Sequence, residues 1–154
     1  MSDNHLSNPM ICERVAPFSD EWHQVRELCY ILFFQKHGLP RTVLDDGLDE
    51  DAHRVCIKRD GRVVASGRIT KLPCNWYDVT AMVVASPLQR QGFGAAIMSC
   101  LIDIARQLGA DGLTLKARTT AKGFYSRFGF VAKGKVFPSA KTGVPHVRMT
   151  LSLK

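Results

Sequence analysis

The stretch Gln89-Arg90-Gln91-Gly92-Phe93-Gly94 decides the fold, because of what stands on either side of it. An apolar run precedes it at residues 80–85, and apolar residues at helical spacing follow it at residues 95–102. The order is therefore strand, glycine-containing loop, helix. Such a junction gathers backbone N–H groups and a helix N-terminus around one point, which favours an anion. Gly92 and Gly94 lack Cβ atoms where a phosphate would approach the backbone.

The positive charge of the chain is concentrated in the half that begins with this loop. The formal net charge is +7 over 154 residues. Residues 1–88 contain ten Lys and Arg and twelve Asp and Glu. Residues 89–154 contain eleven Lys and Arg, and their only acidic residues are Asp103 and Asp111. This distribution suits a polyanionic ligand, although a solvated basic surface explains part of it. Few aromatic residues alternate with the basic ones, which argues against nucleic acid as the partner.

Length and composition predict a single domain over residues 1–154, with residues 1–9 flexible. No apolar run approaches the roughly 18–20 residues that cross a membrane, so we expect no membrane partner. The first residues lack the basic and apolar regions of a signal peptide, which predicts a cytoplasmic location. The five cysteines are odd in number and include no C-x-x-C pair, so we expect neither a disulfide framework nor a metal site.

The remaining pattern predicts an α/β (α+β) fold. Asp60-Gly61 between two apolar runs predicts a hairpin. A helix is expected over about residues 21–36, a strand over 76–84, a helix over 92–108 and a strand over 113–117. A short helix over 120–128 and strands over 130–136 and 146–153 complete a mixed sheet with helices on its faces. The strands before and after helix 92–108 should be parallel neighbours.

A second motif gives the chain a recognisable likeness. Residues 121–130 read Ala-Lys-Gly-Phe-Tyr-Ser-Arg-Phe-Gly-Phe. Together with the loop at residues 89–94, this resembles the GCN5-related N-acetyltransferase (GNAT) family, whose motifs are Gln/Arg-x-x-Gly-x-Gly/Ala and A-x-x-F-Y-x-x-x-G-F. The resemblance implies a mostly antiparallel sheet with helices on both faces and a splayed parallel pair at an acetyl-CoA site. A narrower likeness to the ElaA-like branch rests on single residues and two short segments. These are Gln35, Pro40, Asp46, Asp49, His53, Ala117 and Arg118, with Gly-Arg-Ile at residues 67–69 and Gly-Val-Pro-His at residues 143–146.

The resemblance also implies acetyl-CoA as the cosubstrate, with no metal. Its pyrophosphate would sit on the N–H groups at the helix start, and its pantetheine arm would follow the strand before the loop. Arg118 stands where many relatives carry a cofactor-contacting asparagine. A purely structural helix-entry turn is the alternative for the two glycines, and a Rossmann site fits worse because no G-x-G-x-x-G is present. The expected cofactor-binding residues are Met82, Val83, Val84, Gln89, Arg90, Gln91, Gly92, Phe93, Gly94, Ala95, Arg118 and Tyr125.

Three residues are candidates for catalysis. By resemblance, Tyr125 lies near the CoA sulfur, and a phenol can protonate a departing thiolate of similar basicity. Packing of the short helix is the alternative role for Tyr125. His146 and His53 match the narrower pattern, and histidine can take a proton at neutral pH. A structural role for either histidine, or a water chain in its place, stays open.

These residues predict an acetyl-CoA-dependent N-acetyltransferase that transfers the acetyl group directly to a primary amine. The acceptor is a small molecule or a protein amino group, and a homodimer is left open. A non-catalytic acyl-CoA-binding sensor or interaction module is the alternative. The acidic stretch at residues 45–51 is expected to be a solvated loop, or else to attract a cationic acceptor such as a polyamine.

Overall fold

Residues 10–154, which the computed structural model describes, form one seven-stranded sheet. The strands are β1 (Glu13–Arg14), β2 (His53–Arg59), β3 (Arg62–Lys71), β4 (Trp76–Val84), β5 (Gly112–Arg118), β6 (Val131–Pro138) and β7 (Pro145–Ser152). Their order across the sheet is β1-β2-β3-β4-β5-β7-β6. Only β4 and β5 pair in parallel, and the other neighbours are antiparallel. The mixed, mostly antiparallel sheet is therefore confirmed, whereas residues 1–9, expected to be flexible, lie outside the described residues.

The helices cover the two faces of this sheet. They are α1 (Asp20–Cys29), α2 (Phe93–Gln107) and α3 (Lys122–Ser126), with a π-helical turn at Tyr30–Phe34 and 3₁₀ turns at Gln35–His37, Arg41–Leu44, Ser86–Leu88 and Thr119–Ala121. Val55 and Ile57 belong to the core cluster that contains the buried face of α2. Cys56, between them, packs with Val25 of α1. Because successive strand residues point to opposite faces, α1 and α2 lie on opposite sides of the sheet.

Local sequence explains the turn between β2 and β3 but not the π-helical turn. Arg59 pairs with Arg62, and Asp60 and Gly61 between them have φ of 52° and 76°. Positive φ at both positions is the two-residue hairpin geometry that the Asp-Gly pair predicted. The helix expected over residues 21–36 is instead α-helical only to Cys29, and a π-helical turn follows it. A π-turn widens the helix by one residue per turn, which periodicity in the sequence does not reveal.

A β-bulge in β4 opens the sheet at its centre. Ser66 pairs with Val83 and Arg68 with Thr80, so Gly67 alone faces two residues of β4. One of them, Ala81, has φ of 55°, which a residue with a Cβ rarely adopts. A Cβ on Gly67 would lie 2.7 Å from the sulfur of Met82, so this position requires glycine.

The parallel pairing of β4 and β5 ends just before the bulge. It runs from Trp76 with Gly112 to Val79 with Leu115 and stops there. Beyond Val79, β4 continues to Val84 beside β3, whereas β5 continues to Arg118 beside β7. The two strands therefore separate, and the gap between them becomes the floor of the site described next.

Candidate active site

A cleft of about 830 Å³ opens where β4 and β5 separate, and we call it the cofactor cleft. It is bounded by the end of β4, the start of α2 and the short helix α3. Ten of the twelve residues expected to bind the cofactor line it: Met82, Val83, Val84, Gln89, Arg90, Gly92, Gly94, Ala95, Arg118 and Tyr125. The side chain of Phe93 is buried in the core instead, 4% exposed, and the side chain of Gln91 donates a hydrogen bond to the carbonyl of Pro87 at 3.4 Å. Only the backbone of these two residues is left to meet a ligand.

One end of the cofactor cleft is built for an anion. Helix α2 begins after Gly92, which has φ of 92°. No side chain caps this helix end, and its first turn carries no acidic residue. The N–H groups of the first turn therefore stay available, with the positive end of the helix dipole behind them. The side chains of Arg90 and Arg127 also line the cleft and add positive charge.

The two sequence motifs meet at this end of the cleft. A Cβ added to Gly94 would lie 3.3 Å from the ring of Phe124. Phe124 in turn packs edge-on against Tyr125, with ring centroids 5.1 Å apart. The absence of a side chain at Gly94 thus lets α3 come close to α2 and fixes where Tyr125 stands.

The end of β4 turns backbone polar groups toward the cleft. The N–H of Ala85 donates to the carbonyl of Val64 on β3 at 2.8 Å. Because N–H and C=O directions alternate along a strand, the polar groups of Val84 and Met82 point the other way, into the gap beside β5. Consistent with this, the carbonyl of Val84 accepts a hydrogen bond from the side chain of Gln89 at 3.1 Å. An extended, peptide-like ligand can therefore hydrogen-bond to the backbone of β4 here.

Tyr125 stands at the junction of the cofactor cleft with a second cavity of about 340 Å³. Burial raises the pKa of its phenol to about 12, against the opposing effect of the Arg118 guanidinium. The phenol therefore keeps its proton at every physiological pH. Its ring is held by edge-to-face contacts with Phe124 and Phe130, at centroid distances of 5.1 and 6.0 Å.

The second cavity lies between the π-helical turn, the ends of β4 and β5, the start of β7 and the loop at residues 139–142. Phe33 and Phe34 of the π-helical turn form one wall. Lys141 of the loop donates a hydrogen bond to the carbonyl of Val43 at 3.1 Å and so ties the loop over the cavity. Arg118 and Tyr125 line both the second cavity and the cofactor cleft, so the two spaces are adjacent there.

The two candidate histidines have different surroundings. His146 lines the second cavity, and its Nδ1 lies 2.7 Å from the carbonyl oxygen of Val144. Since a carbonyl only accepts, Nδ1 carries the hydrogen and the neutral ring has its lone pair on Nε2. His53 lines neither cavity; Arg14 donates to its Nδ1 at 3.1 Å. Burial, together with Arg14, lowers the pKa of His53. The geometry thus places His146, and not His53, in a cavity that Tyr125 also lines.

The acidic stretch at residues 45–51 is mostly exposed, as expected for a solvated loop, but three of its carboxylates also form ion pairs. Asp46 and Asp49 accept hydrogen bonds from the guanidinium of Arg68, which is only 5% exposed. Asp49 also accepts from Arg54 at 2.8 Å, and Asp45 is paired with Arg26. Three carboxylates are thus held in ion pairs on the α1 face of the sheet, and we call this group the arginine–aspartate cluster.

Sequence reasoning missed one further carboxylate, that of Asp78 on β4. Its Oδ1 is buried and has no hydrogen-bond partner among residues 10–154. Burial raises its pKa, although Arg148, Lys116 and Arg68 act in the opposite direction. A single aspartate within an apolar strand gives no sequence signal of this kind, because the cations around it come from β3, β5 and β7.

Other chemistries find little support in the part of the chain that the structure describes. No group of three His, Cys, Asp or Glu side chains within residues 10–154 could hold a metal ion. No helix there is both long and apolar enough to span a bilayer. Burial raises the pKa of the Cys29 and Cys56 thiols to about 11, so both are protonated at neutral pH and poor nucleophiles.

This geometry agrees with the comparisons to known proteins. Residues 19–130 match the Acetyltransferase (GNAT) family, and the chain belongs to that family. The curated relative YjcF of Bacillus subtilis, an uncharacterized N-acetyltransferase, is 26% identical over 82% of this chain and 91% of its own length.

Solved structures share the fold. The chain is similar to an acyl-CoA N-acyltransferase from Pseudomonas aeruginosa, with 26% identity, a TM-score of 0.77 and coverage of 92% of this chain and 97% of that one. Escherichia coli ElaA gives a TM-score of 0.79 at 20% identity, covering 91% and 98%. An aminoglycoside 6'-N-acetyltransferase, solved with coenzyme A, gives 0.77 at 14% identity, covering 94% and 98%. The protein is therefore an acetyltransferase of a fold that binds coenzyme A.

Proposed function

We propose that this protein transfers the acetyl group of acetyl-CoA directly to a primary amine. The observation that carries the proposal is the position of Tyr125, whose protonated phenol stands where the cofactor cleft meets the second cavity. In this proposal acetyl-CoA occupies the cofactor cleft, with its pyrophosphate at the start of α2 and its arm along Met82 and Val84. The amine enters through the second cavity and meets the thioester at the junction.

The transfer needs two proton movements. The amine nitrogen attacks the thioester carbon, its N–C bond forms, and the C–S bond breaks. His146 Nε2 accepts the proton that the amine loses, and the Tyr125 phenol donates one to the departing thiolate. A β4 backbone N–H in the gap stabilises the negative charge on the carbonyl oxygen. The products are an N-acetylated amine and free coenzyme A.

Replacement of the Tyr125 hydroxyl tests this directly. Tyr125→Phe keeps the ring and its contacts with Phe124 and Phe130, so the affinity for coenzyme A should not change. Turnover should fall by about 10²–10⁴, which is the usual contribution of a general acid. Titration calorimetry with coenzyme A and a free-thiol assay measure the two quantities. The matched control is Tyr77→Phe, since Tyr77 is buried in the core and lines neither cavity.

Other outcomes separate the alternatives. Wild-type protein that binds coenzyme A tightly but acetylates no amine would support a non-catalytic sensor module. His146→Gln should lower kcat, because Nε2 can then no longer accept the proton of the amine. The cytoplasmic location and a homodimer stay predictions.

A further inference from the structure

The second cavity has an unusual charge, and this bears on the identity of the acceptor. Lys116, Arg118 and Lys141 line it, together with His146. No carboxylate is among the lining residues. None of these three cations has an ion-pair partner within residues 10–154. The space that should receive the acceptor is therefore positively charged and lacks a counter-ion of its own.

The carboxylates that might have neutralised this charge are engaged elsewhere. Asp45, Asp46 and Asp49 are held by arginines of the arginine–aspartate cluster. Asp78, the carboxylate of β4 on this face, lies outside the lining of the cavity. A polyamine or another multiply charged cation would thus meet like charges at the acceptor position, which costs binding free energy.

The cations are also placed to hold an anion. Lys116 and Arg118 alternate on β5, so they share a face about 7 Å apart along the strand. The guanidinium of Arg118 lies over the ring of Phe33, 5.0 Å from its centroid. This cation–π contact does not consume the N–H donors of the guanidinium, which can bind a carboxylate or a phosphate.

From this arrangement we propose that the acceptor is a small primary amine that also carries an anionic group, a carboxylate or a phosphate. The anionic group binds Lys116 and Arg118, and the amine points toward Tyr125. The proposal rests on the acetyltransferase function above. At about 340 Å³, the cavity is at the small end of ligand sites, so the acceptor is a small molecule.

The same cations would assist the chemistry. Only a neutral amine has the lone pair that attacks the thioester. Positive charge nearby lowers the pKa of a bound ammonium group, since it disfavours the charged form. Lys116 and Arg118 would thus anchor the substrate and increase the fraction of its amine that can react.

Matched pairs of acceptors test the proposal. Leucine and leucinamide differ in the carboxylate, phosphoethanolamine and ethanolamine differ in the phosphate, and spermidine represents the polycations. With acetyl-CoA and the free-thiol assay, kcat/KM for one anionic member should exceed that of its neutral partner by at least about tenfold. The first pair identifies a carboxylate-bearing acceptor, and the second a phosphate-bearing one.

Variants connect this preference to the cavity. Lys116→Gln should raise KM for the preferred anionic amine about tenfold or more and leave its neutral partner unaffected. Arg118→Gln should raise KM for the anionic amine more than for the neutral one, and because Arg118 also lines the cofactor cleft, the affinity of this variant for coenzyme A is measured alongside. Lys135→Gln is the control, because it removes the same charge from β6 outside both cavities. Equal kcat/KM within each pair, or a preference for spermidine, would overturn the proposal while leaving the acetyltransferase function intact. If no amine is acetylated although coenzyme A binds, the proposed function itself fails.

Discussion

Two groups of cations on the α1 face of the sheet differ in one respect, which is whether the protein supplies their counter-ions. Arg54 and Arg68, on β2 and β3, are buried and bound to carboxylates of the segment between α1 and β2. Lys116 and Arg118, on β5, have no carboxylate partner among the described residues. The first group stabilises the fold, and we propose that the second binds a ligand. Pairing, and not charge alone, distinguishes the two groups.

The largest effect should come from Arg68, at the centre of the paired group. Its guanidinium donates to Asp46, Asp49 and Thr80, and it is 5% exposed. Arg68→Met would leave Asp46 without its guanidinium partner and Asp49 with Arg54 alone. We expect the free energy of unfolding to fall by about 3–5 kcal/mol, measured by urea denaturation.

The control for this variant is a pair of the same chemistry on the surface. Arg41 donates to Glu27 at 2.7 and 3.1 Å, but both side chains are about half exposed. Arg41→Met should therefore change stability far less, because solvent screens exposed pairs. Equal losses in the two variants would contradict the structural role of the arginine–aspartate cluster.

The sequence predicts the features that depend on residues close together in the chain, but not those that depend on contacts between distant residues. The hairpin at Asp60-Gly61, the strand–loop–helix order around residues 89–94 and the parallel pairing of β4 with β5 follow from local signals and were confirmed. The candidate site residues of this loop share a short segment, so one motif was enough to bring them together.

The arginine–aspartate cluster and the second cavity could not be predicted in this way. Asp46 and Asp49 stand about twenty positions before Arg68, and nothing in their spacing indicates that they meet. Lys141 closes the second cavity by contacting Val43, 98 residues away. Whether a charged residue has a partner is decided by such long-range contacts, so the sequence predicted an exposed acidic stretch but not its ion pairs.

An intermediate effect should appear when the medium is acidified. Burial opposes ionisation of Asp49, but hydrogen bonds from Arg54 and Arg68 outweigh it and hold its pKa below the usual value. Burial likewise opposes ionisation of Asp46, and its hydrogen bonds with Arg68 and the Leu48 N–H again lower the pKa. A lowered carboxyl pKa stabilises the fold above the unfolded value of about 3.9, and that contribution disappears as the pH falls through the folded value.

This expectation is tested by comparing the free energy of unfolding of the wild type with that of Asp49→Asn across pH. The variant should be less stable at pH 7, and the difference should shrink as the pH falls from about 3.9, where the carboxylate of the unfolded chain takes up protons, through the lower pKa of the folded protein. Urea denaturation at several pH values measures both. A difference that stays constant down to pH 2 would mean that Asp49 acts through packing and not through charge.

The smallest effect on stability should come from the unpaired group. Lys116 is exposed, and it has no hydrogen-bond or ion-pair partner among residues 10–154. The buried carboxylate of Asp78 attracts Lys116, but it also attracts Arg148 and Arg68. We therefore expect Lys116→Gln to change the free energy of unfolding by no more than about 0.5 kcal/mol, as for other surface sites. A loss as large as that of Arg68→Met would make Lys116 structural, and the second cavity would lose one of the two cations assigned to the acceptor. Near-zero change in stability with a raised KM for an anionic amine is the combination that only a ligand-binding cation produces.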